Sequence, residues 1–287
     1  MKTGAGRITL LGLGLMVLTV AGLAGLFVDH HFEVVMDDRL KGPSFIHPLG
    51  TDWLGRDLLA RLVAGTRGFF LPGLVATVVC SVLGVGLGAL VGYRPPTDAL
   101  RLPSARRRAF EWMQKLIGVV LALPGALPRM VVLVLLCAAF GFDAYLLAAG
   151  AALVYAGELG EDVRHRVRRC CQEEYVEAAI AAGRPGWWVL GYHILWLHVR
   201  SLVARHLFQL WAFVILMETS LSFMPGAFGI QEPESSWGNM LEGTRDAAMA
   251  GHYWASAVVT VAIVSTIVVL AWAGDRFGRE DGPGGSL

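Results

Sequence analysis

The 287 residues are 55% hydrophobic and only 16% charged, against about 25% charged in soluble domains. One water-soluble core is thereby excluded as the home for all these apolar side chains, and lipid must serve as part of the solvent. The net charge of +1 is uninformative as a total, and nothing points to nucleic acid or to an acidic partner through bulk charge.

Crossing a bilayer takes about 20 apolar residues in a helix, because every backbone polar group in hydrocarbon must be bonded within its own segment. Six runs qualify as candidates. The first, Ile8 to Val28, follows Lys2 and Arg7; its apolar stretch exceeds the about 7 to 15 residues of a signal-peptide core and reads as an uncleaved anchor. The second, Phe69 to Tyr93, carries Gly84, Gly88 and Gly92 four residues apart, which puts three glycines on one face where another helix can approach closely. Glycine scattered without purpose through a membrane helix is the blander reading.

The third run, Leu116 to Phe140, is interrupted by Pro124, Pro128 and Arg129. A short link, Gly141 to Asp143, makes a tight hairpin with the fourth run, Ala144 to Leu159. The fifth is Leu207 to Met224 and the sixth His252 to Ala273, followed by a Gly-rich polar tail that reads as disordered. The expected fold is an all-α membrane protein with six transmembrane helices. Residues 1–68 form an anchor and external segment, 69–275 the core, with a cytoplasmic loop at about 160–206, and 276–287 a tail.

Lys and Arg concentrate in the segments that lie inside if the amino terminus is inside, including Arg94, the Arg106 to Arg108 cluster, Lys115 and the Arg164 to Arg169 stretch. Both termini are therefore expected in the cytoplasm. Cys80 and Cys137 lie in apolar runs and Cys170 and Cys171 are adjacent, a spacing that builds neither a disulfide framework nor a zinc site.

Two connecting segments are too long and too patterned to be simple turns. The outer one contains His47 to Asp57, with Leu54, Leu58 and Leu62 at i, i+4 spacing. Asp52 is expected to cap this short helix, and its leucines to lie in the outer membrane surface beside a charged entrance loop. The inner one contains Glu173 to Gly183, a strong helix former with acids at its start and glycine at its stop. Val176, Ala179, Ile180 and Gly183 share a face suited either to docking on another protein or to lying on inner lipid beside Trp187 and Trp188.

These segments carry a resemblance. Glu177-Ala178-Ala179 with Gly183, then Ile194-Leu195, resembles the cytoplasmic EAA loop of binding-protein-dependent ABC permeases. The outer run, with Gly50, Thr51, Asp52, Gly55, Arg56 and Asp57, resembles the HPLGTDxLGRD segment of the dipeptide, oligopeptide and nickel branch. Leu221-Ser222-Phe223 and Ser236 to Leu241 are similar to that branch's LSFLG and SWGNML segments. Departures are Trp196 where the family loop has proline, Gly118 where an Asp is common, a long basic loop from Arg94 to Arg108, and Arg129 inside a span.

The resemblance implies a type I ABC importer permease in a bacterial inner membrane. Its implied partners are cytoplasmic ATPase subunits, a second permease, an extracytoplasmic solute-binding protein and membrane lipid. The chain's three lysines, Lys2, Lys41 and Lys115, never follow glycine, so no G-x-x-x-x-G-K-[ST] phosphate loop is present and ATP with its magnesium belongs to another chain. No cofactor is expected here.

Glu218, beside Thr219, Ser220 and Ser222 in the fifth span, reads either as a pathway group or as a structural hydrogen bond between helices. Arg129 has Glu218, Glu158 or the membrane surface as destinations. His30, His31, His47 and His252 lack the spacing of a metal site, and no metal is expected. Isolated hydroxyls with no His among the apolar runs do not make an intramembrane hydrolase. A degenerate permease serving as a structural subunit and a nickel importer are the alternatives within the class.

Overall fold

The computed structural model describes residues 14, 16, 18–27, 33–93, 104–123, 127–224 and 229–279. Lys2, Arg7, His30, His31, the basic stretch 94–103, Pro124 and the end of the tail lie outside the described residues. The described part is helical: α1 Leu58–Gly65, α2 Arg67–Gly92, α3 Ser104–Ala122, α4 Arg129–Phe140, α5 Ala144–Cys170 and α6 Glu174–Ala181. There follow α7 over Gly186–Ser222, α8 Trp237–Met249 and α9 Trp254–Arg279. Among the described residues the only extended pairing is an isolated antiparallel bridge between Thr51 and Asp57.

Among the same residues, Leu58–Gly92, Gly186–Ser222 and Trp254–Gly278 are long and apolar enough to cross a membrane, and Arg129–Phe140 is a shorter apolar helix. The third expected run is two helices, α3 ending at Ala122 and α4 beginning at Arg129. Proline explains the interruption, since it lacks the N–H and crowds the preceding turn. The α3 helix starts at Ser104, earlier than its apolar run, because its Ala, Arg, Glu and Lys residues are strong helix formers. For the same reason α5 continues through Gly160 to Cys170, past the expected stop at Leu159.

The chain divides into two compact units. The first takes Met1–Val75, Leu133–Ala148 and Trp211–Ala273. Its aromatic side chains tie the elements together: Phe69 meets Trp237 edge-on at 4.8 Å between ring centroids, and Phe70 meets Trp211 at 5.6 Å. The helical residues 18–25 approach closely at Gly22, where a Cβ would stand 2.3 Å from the Phe70 ring. Trp237 also donates its indole N–H to the Leu62 carbonyl at 2.8 Å. Ser236 starts α8 through a capping box, accepting from the Asn239 N–H while the Asn239 side chain accepts from the Ser236 N–H.

The second unit takes Ala76–Val132, Ala149–Leu210 and Gly274–Leu287. Here the glycine face of α2 meets α5 as expected. A Cβ at Gly84 would stand 2.9 Å from Leu159, one at Gly88 2.5 Å from the Gly160 carbonyl, and one at Gly92 2.7 Å from the Arg164 carbonyl. At Gly88 and Gly92 backbone lies against backbone, a closeness that only glycine permits. Arg129 pairs with Glu158 and covers the Tyr155 ring at 4.5 Å, so of its candidate destinations Glu158 is the one it takes.

Candidate functional site

The segment from His47 to Arg61 is a buried charge network. Gly50 and Gly55 adopt φ of +81° and +79°, and a Cβ at Gly55 would stand 1.9 Å from the Val35 carbonyl. Glycine is therefore required at the second turn on both backbone and steric grounds. Thr51 accepts from the Lys41 N–H at 2.9 Å and donates to the Asp38 carbonyl. The turns aim Asp52 inward, where Oδ1 accepts from the Leu54 and Arg56 N–H groups at 2.8 and 2.9 Å. Oδ2 accepts from Arg56 at 2.8 Å and from Arg61 at 2.6 Å.

Both arginines continue to Glu232. Arg56 donates to its two oxygens at 2.7 and 3.0 Å and Arg61 to one at 2.7 Å, while the Arg61 Nε donates to Ser235 at 3.2 Å. Burial opposes ionisation of Glu232, but the hydrogen bonds and charges of Arg56 and Arg61 outweigh it and hold its carboxyl below the ordinary range. Burial likewise works against the charge of Arg56, and its bonds to Glu232 and Asp52 raise its pKa nonetheless.

Three expectations change. The cap of α1 is Asp57, which accepts from the Ala60 N–H at 2.8 Å, because Asp52 is held inside by two guanidinium groups. Leu58 and Leu62 are buried in the protein, not laid in the membrane surface. The charges do not form an open entrance loop, since Asp52, Arg56 and Arg61 are all buried. Arg61 and Glu232 were not singled out from the sequence. Arg61 does interrupt a leucine-patterned helix, which is a usable signal, but nothing local marks Glu232.

In the same unit Glu218 is fully buried and accepts from Ser222 at 2.7 Å. That bond runs within α7, and the Ser236 side chain at the start of α8 is a second hydrogen-bond partner of the carboxyl, so the structural reading of a bond between helices keeps its support. Ser222 in turn accepts from the Ile230 N–H at 2.8 Å, which ties Ile230 to the end of α7. Beside this group opens a cavity of about 580 Å³ whose polar lining includes Arg67, Asp143, Glu234 and Ser235. Gly68 lines it too, and a Cβ there would stand 3.7 Å from Glu218 Oε1.

The second unit carries α6, with Glu174 and Glu177 in its first turn. It stops at Gly183, φ +80°, where the Gly183 N–H donates to Ile180 and the Arg184 N–H to Ala179, the two bonds of a Schellman motif. Val176 is buried and Ala179 and Ile180 are half-buried, so much of the expected docking stripe packs on the chain itself. The face left open is Glu177, Ala178, Ala181, Ala182 and Gly183. Ile194 is buried and Leu195 half-buried in the next helix, while Trp196 is exposed.

His47 is engaged by Asp57 at 2.8 Å, and among the described residues no three His, Cys, Asp or Glu side chains come together. All four cysteines are free and buried.

No protein-family model matches the chain. A glutathione transport system permease protein of Pectobacterium atrosepticum is 28% identical over 264 residues, spanning 91% of this chain and 81% of its own. A probable D,D-dipeptide transport system permease protein of Escherichia coli is 29% identical over 240 residues, spanning 83% and 73%. Among solved structures, a chain of the MetNI methionine ABC transporter in inward-facing conformations aligns with a TM-score of 0.50 over 78% of this chain and 96% of that one, at 17% identity, a likeness of fold. With its helical build and its apolar helices, the chain is similar over most of its length to permease subunits of ABC transporters named for peptide transport.

Proposed function

We propose that this chain is one membrane-embedded half of an ATP-driven importer of di- and oligopeptides or related small solutes, set in a bacterial inner membrane with six spans and both termini in the cytoplasm. The observation that carries the reading is the open face of α6, where Glu177 and Ala178 stand exposed ahead of a glycine stop. Small side chains there let a partner approach closely, and the carboxylate offers a charge-assisted bond to a basic residue. The ATPase subunits hold ATP and magnesium, and their closure pushes α6, together with the turns around Ile194 and Leu195, so as to rock the membrane helices. A second permease completes the pathway, and a solute-binding protein delivers cargo from outside. Peptide cargo is supported by relatives named for glutathione and D,D-dipeptide transport.

Gly50, Thr51, Asp52, Gly55, Arg56 and Asp57 serve this function by holding the external segment rigid against α1. Glu218 and Ser222, beside the cavity of the first unit, contribute to the pathway lining.

The test is substrate-stimulated ATPase activity of the reconstituted complex, with Glu177→Arg beside wild type and a panel of peptides as cargo. Stimulation that collapses in the mutant while the complex stays assembled is the expected result. Equal stimulation in both removes Glu177 from coupling. A wild-type chain that recruits no ATPase subunit would instead make it a degenerate structural subunit, the reading that Trp196 in place of proline favours.

A further inference from the structure

Arg184, Trp188, Tyr192, Trp196 and Arg200 recur at every fourth position, and no Asp or Glu stands anywhere between the two arginines. The structure turns this repeat into a ladder. The Arg184 guanidinium lies 4.3 Å from the Trp188 ring, Trp188 stacks on Tyr192 at 5.4 Å, and Arg200 lies 6.0 Å from Trp196. Tyr192 is 49% and Trp196 59% exposed, and Trp187 beside them is more exposed still.

The opposite row of the same helix is buried. Val189, Ile194 and Val199 stand five residues apart and have no exposed surface. Between Val189 and Val199 the helix is wound with i to i+5 hydrogen bonds, and this wider turn brings residues five apart onto one face. The winding thereby separates an apolar row that packs on the protein from a cationic, aromatic row that stays partly open, Trp188 being half-buried and the others exposed.

We infer that this ladder is a docking site for the headgroups of anionic phospholipids. Three features choose this occupant. Indole and phenol rings settle at the level of lipid headgroups, where an apolar body and a polar edge are both accommodated. A guanidinium positioned over a ring still has a planar fork of donors that matches phosphate geometry. The ladder also opens α7, whose 37 residues exceed the about 20 needed to cross hydrocarbon, so part of its length belongs in the headgroup layer. Assignment to the inner leaflet rests on the topology proposed above; the lipid contact itself does not.

The test uses the permease purified with its partner subunits and placed in nanodiscs, with spin-labelled phosphatidylglycerol and phosphatidylcholine as probes of motionally restricted lipid. Wild type should prefer phosphatidylglycerol several-fold. In Arg184→Gln/Arg200→Gln the preference should fall by roughly fivefold for each arginine at the surface, limited by approach to parity. Trp196→Leu, which leaves both charges, should reduce it less. A preference unchanged in the double variant overturns the proposal. So does an unchanged preference accompanied by loss of the ATPase subunits, which would assign the surface to a protein. Nanodiscs expose both faces, so a wrong topology leaves this readout standing, and Glu177→Arg reports on coupling separately.

Discussion

Arg61, with no exposed surface, donates to Glu232 at 2.7 Å across 171 positions of sequence, and with the same guanidinium to Asp52 at 2.6 Å. Removing it leaves Asp52 buried with one cation fewer. Breaking a buried pair from one side costs roughly 3 to 5 kcal/mol. Arg61→Ala should therefore lower the thermal midpoint of the detergent-solubilised chain sharply. Arg61→Lys should rescue little, because one ammonium cannot reach Ser235, Asp52 and Glu232 with the fixed fork of three donors seen here. A lysine variant as stable as wild type would refute the fork argument.

Glu232 sets an acid limit to stability. Its pKa in the folded chain lies below that of the unfolded chain, about 4.3 for a free Glu. Its contribution is therefore complete above that value and is lost as pH falls through the lowered folded pKa. Unfolding followed from pH 7 downward should show a flat plateau and then an acid decline. Glu232→Gln should lower the plateau and shrink the decline relative to it. An identical pH slope in both proteins would mean that other carboxylates govern the acid limb.

The glycine seam gives an internal control. A methyl at Gly88 would press on the Gly160 carbonyl, whereas Gly86, two residues away, has nothing within 4 Å. Gly88→Ala should destabilise by about 1 to 3 kcal/mol, the usual cost of overpacking. Gly86→Ala should be neutral or slightly stabilising, since alanine is the better helix former. Thermal melts of the two variants, measured side by side, decide this.

At the end of α6, Gly183 occupies the left-handed region that disfavours any residue with a Cβ. Gly183→Ala should cost about 1 kcal/mol or slightly more, and Gly183→Asn should recover part of it. If α6 transmits the ATPase stroke, the alanine variant should also lose substrate stimulation more than basal hydrolysis. Parallel measurement of both activities separates loss of coupling from loss of assembly.

Several of these features were legible in the sequence because they are periodic or local. Gly84, Gly88 and Gly92 announce a close helix contact by spacing alone, and the acids and glycine of α6 mark its two ends. The outer motif was legible as a unit but its chemistry was not. Asp52 has the identity of a helix cap, and only the positions of Arg56 and Arg61 in space show why Asp57 takes that role. The α1 leucines declare an apolar face without saying whether lipid or protein covers it. Glu232 is invisible for a different reason: a lone acid in an irregular segment has no pattern, and helices α2 to α7 separate it from its partners in chain order. The extent of α5 was missed because charge ended the apolar run without ending the helix.

The network at Asp52 carries two guanidinium groups and two carboxylates within one cluster of bonds. Interlocked in this way, the four charges sum to zero, and the field they project weakens with distance far faster than that of a single ion. A charged solute well beyond the dimensions of the cluster is neither drawn in nor turned away by it. The segment from His47 to Arg61 is thus stiffened by strong ionic bonds while projecting no net charge at long range.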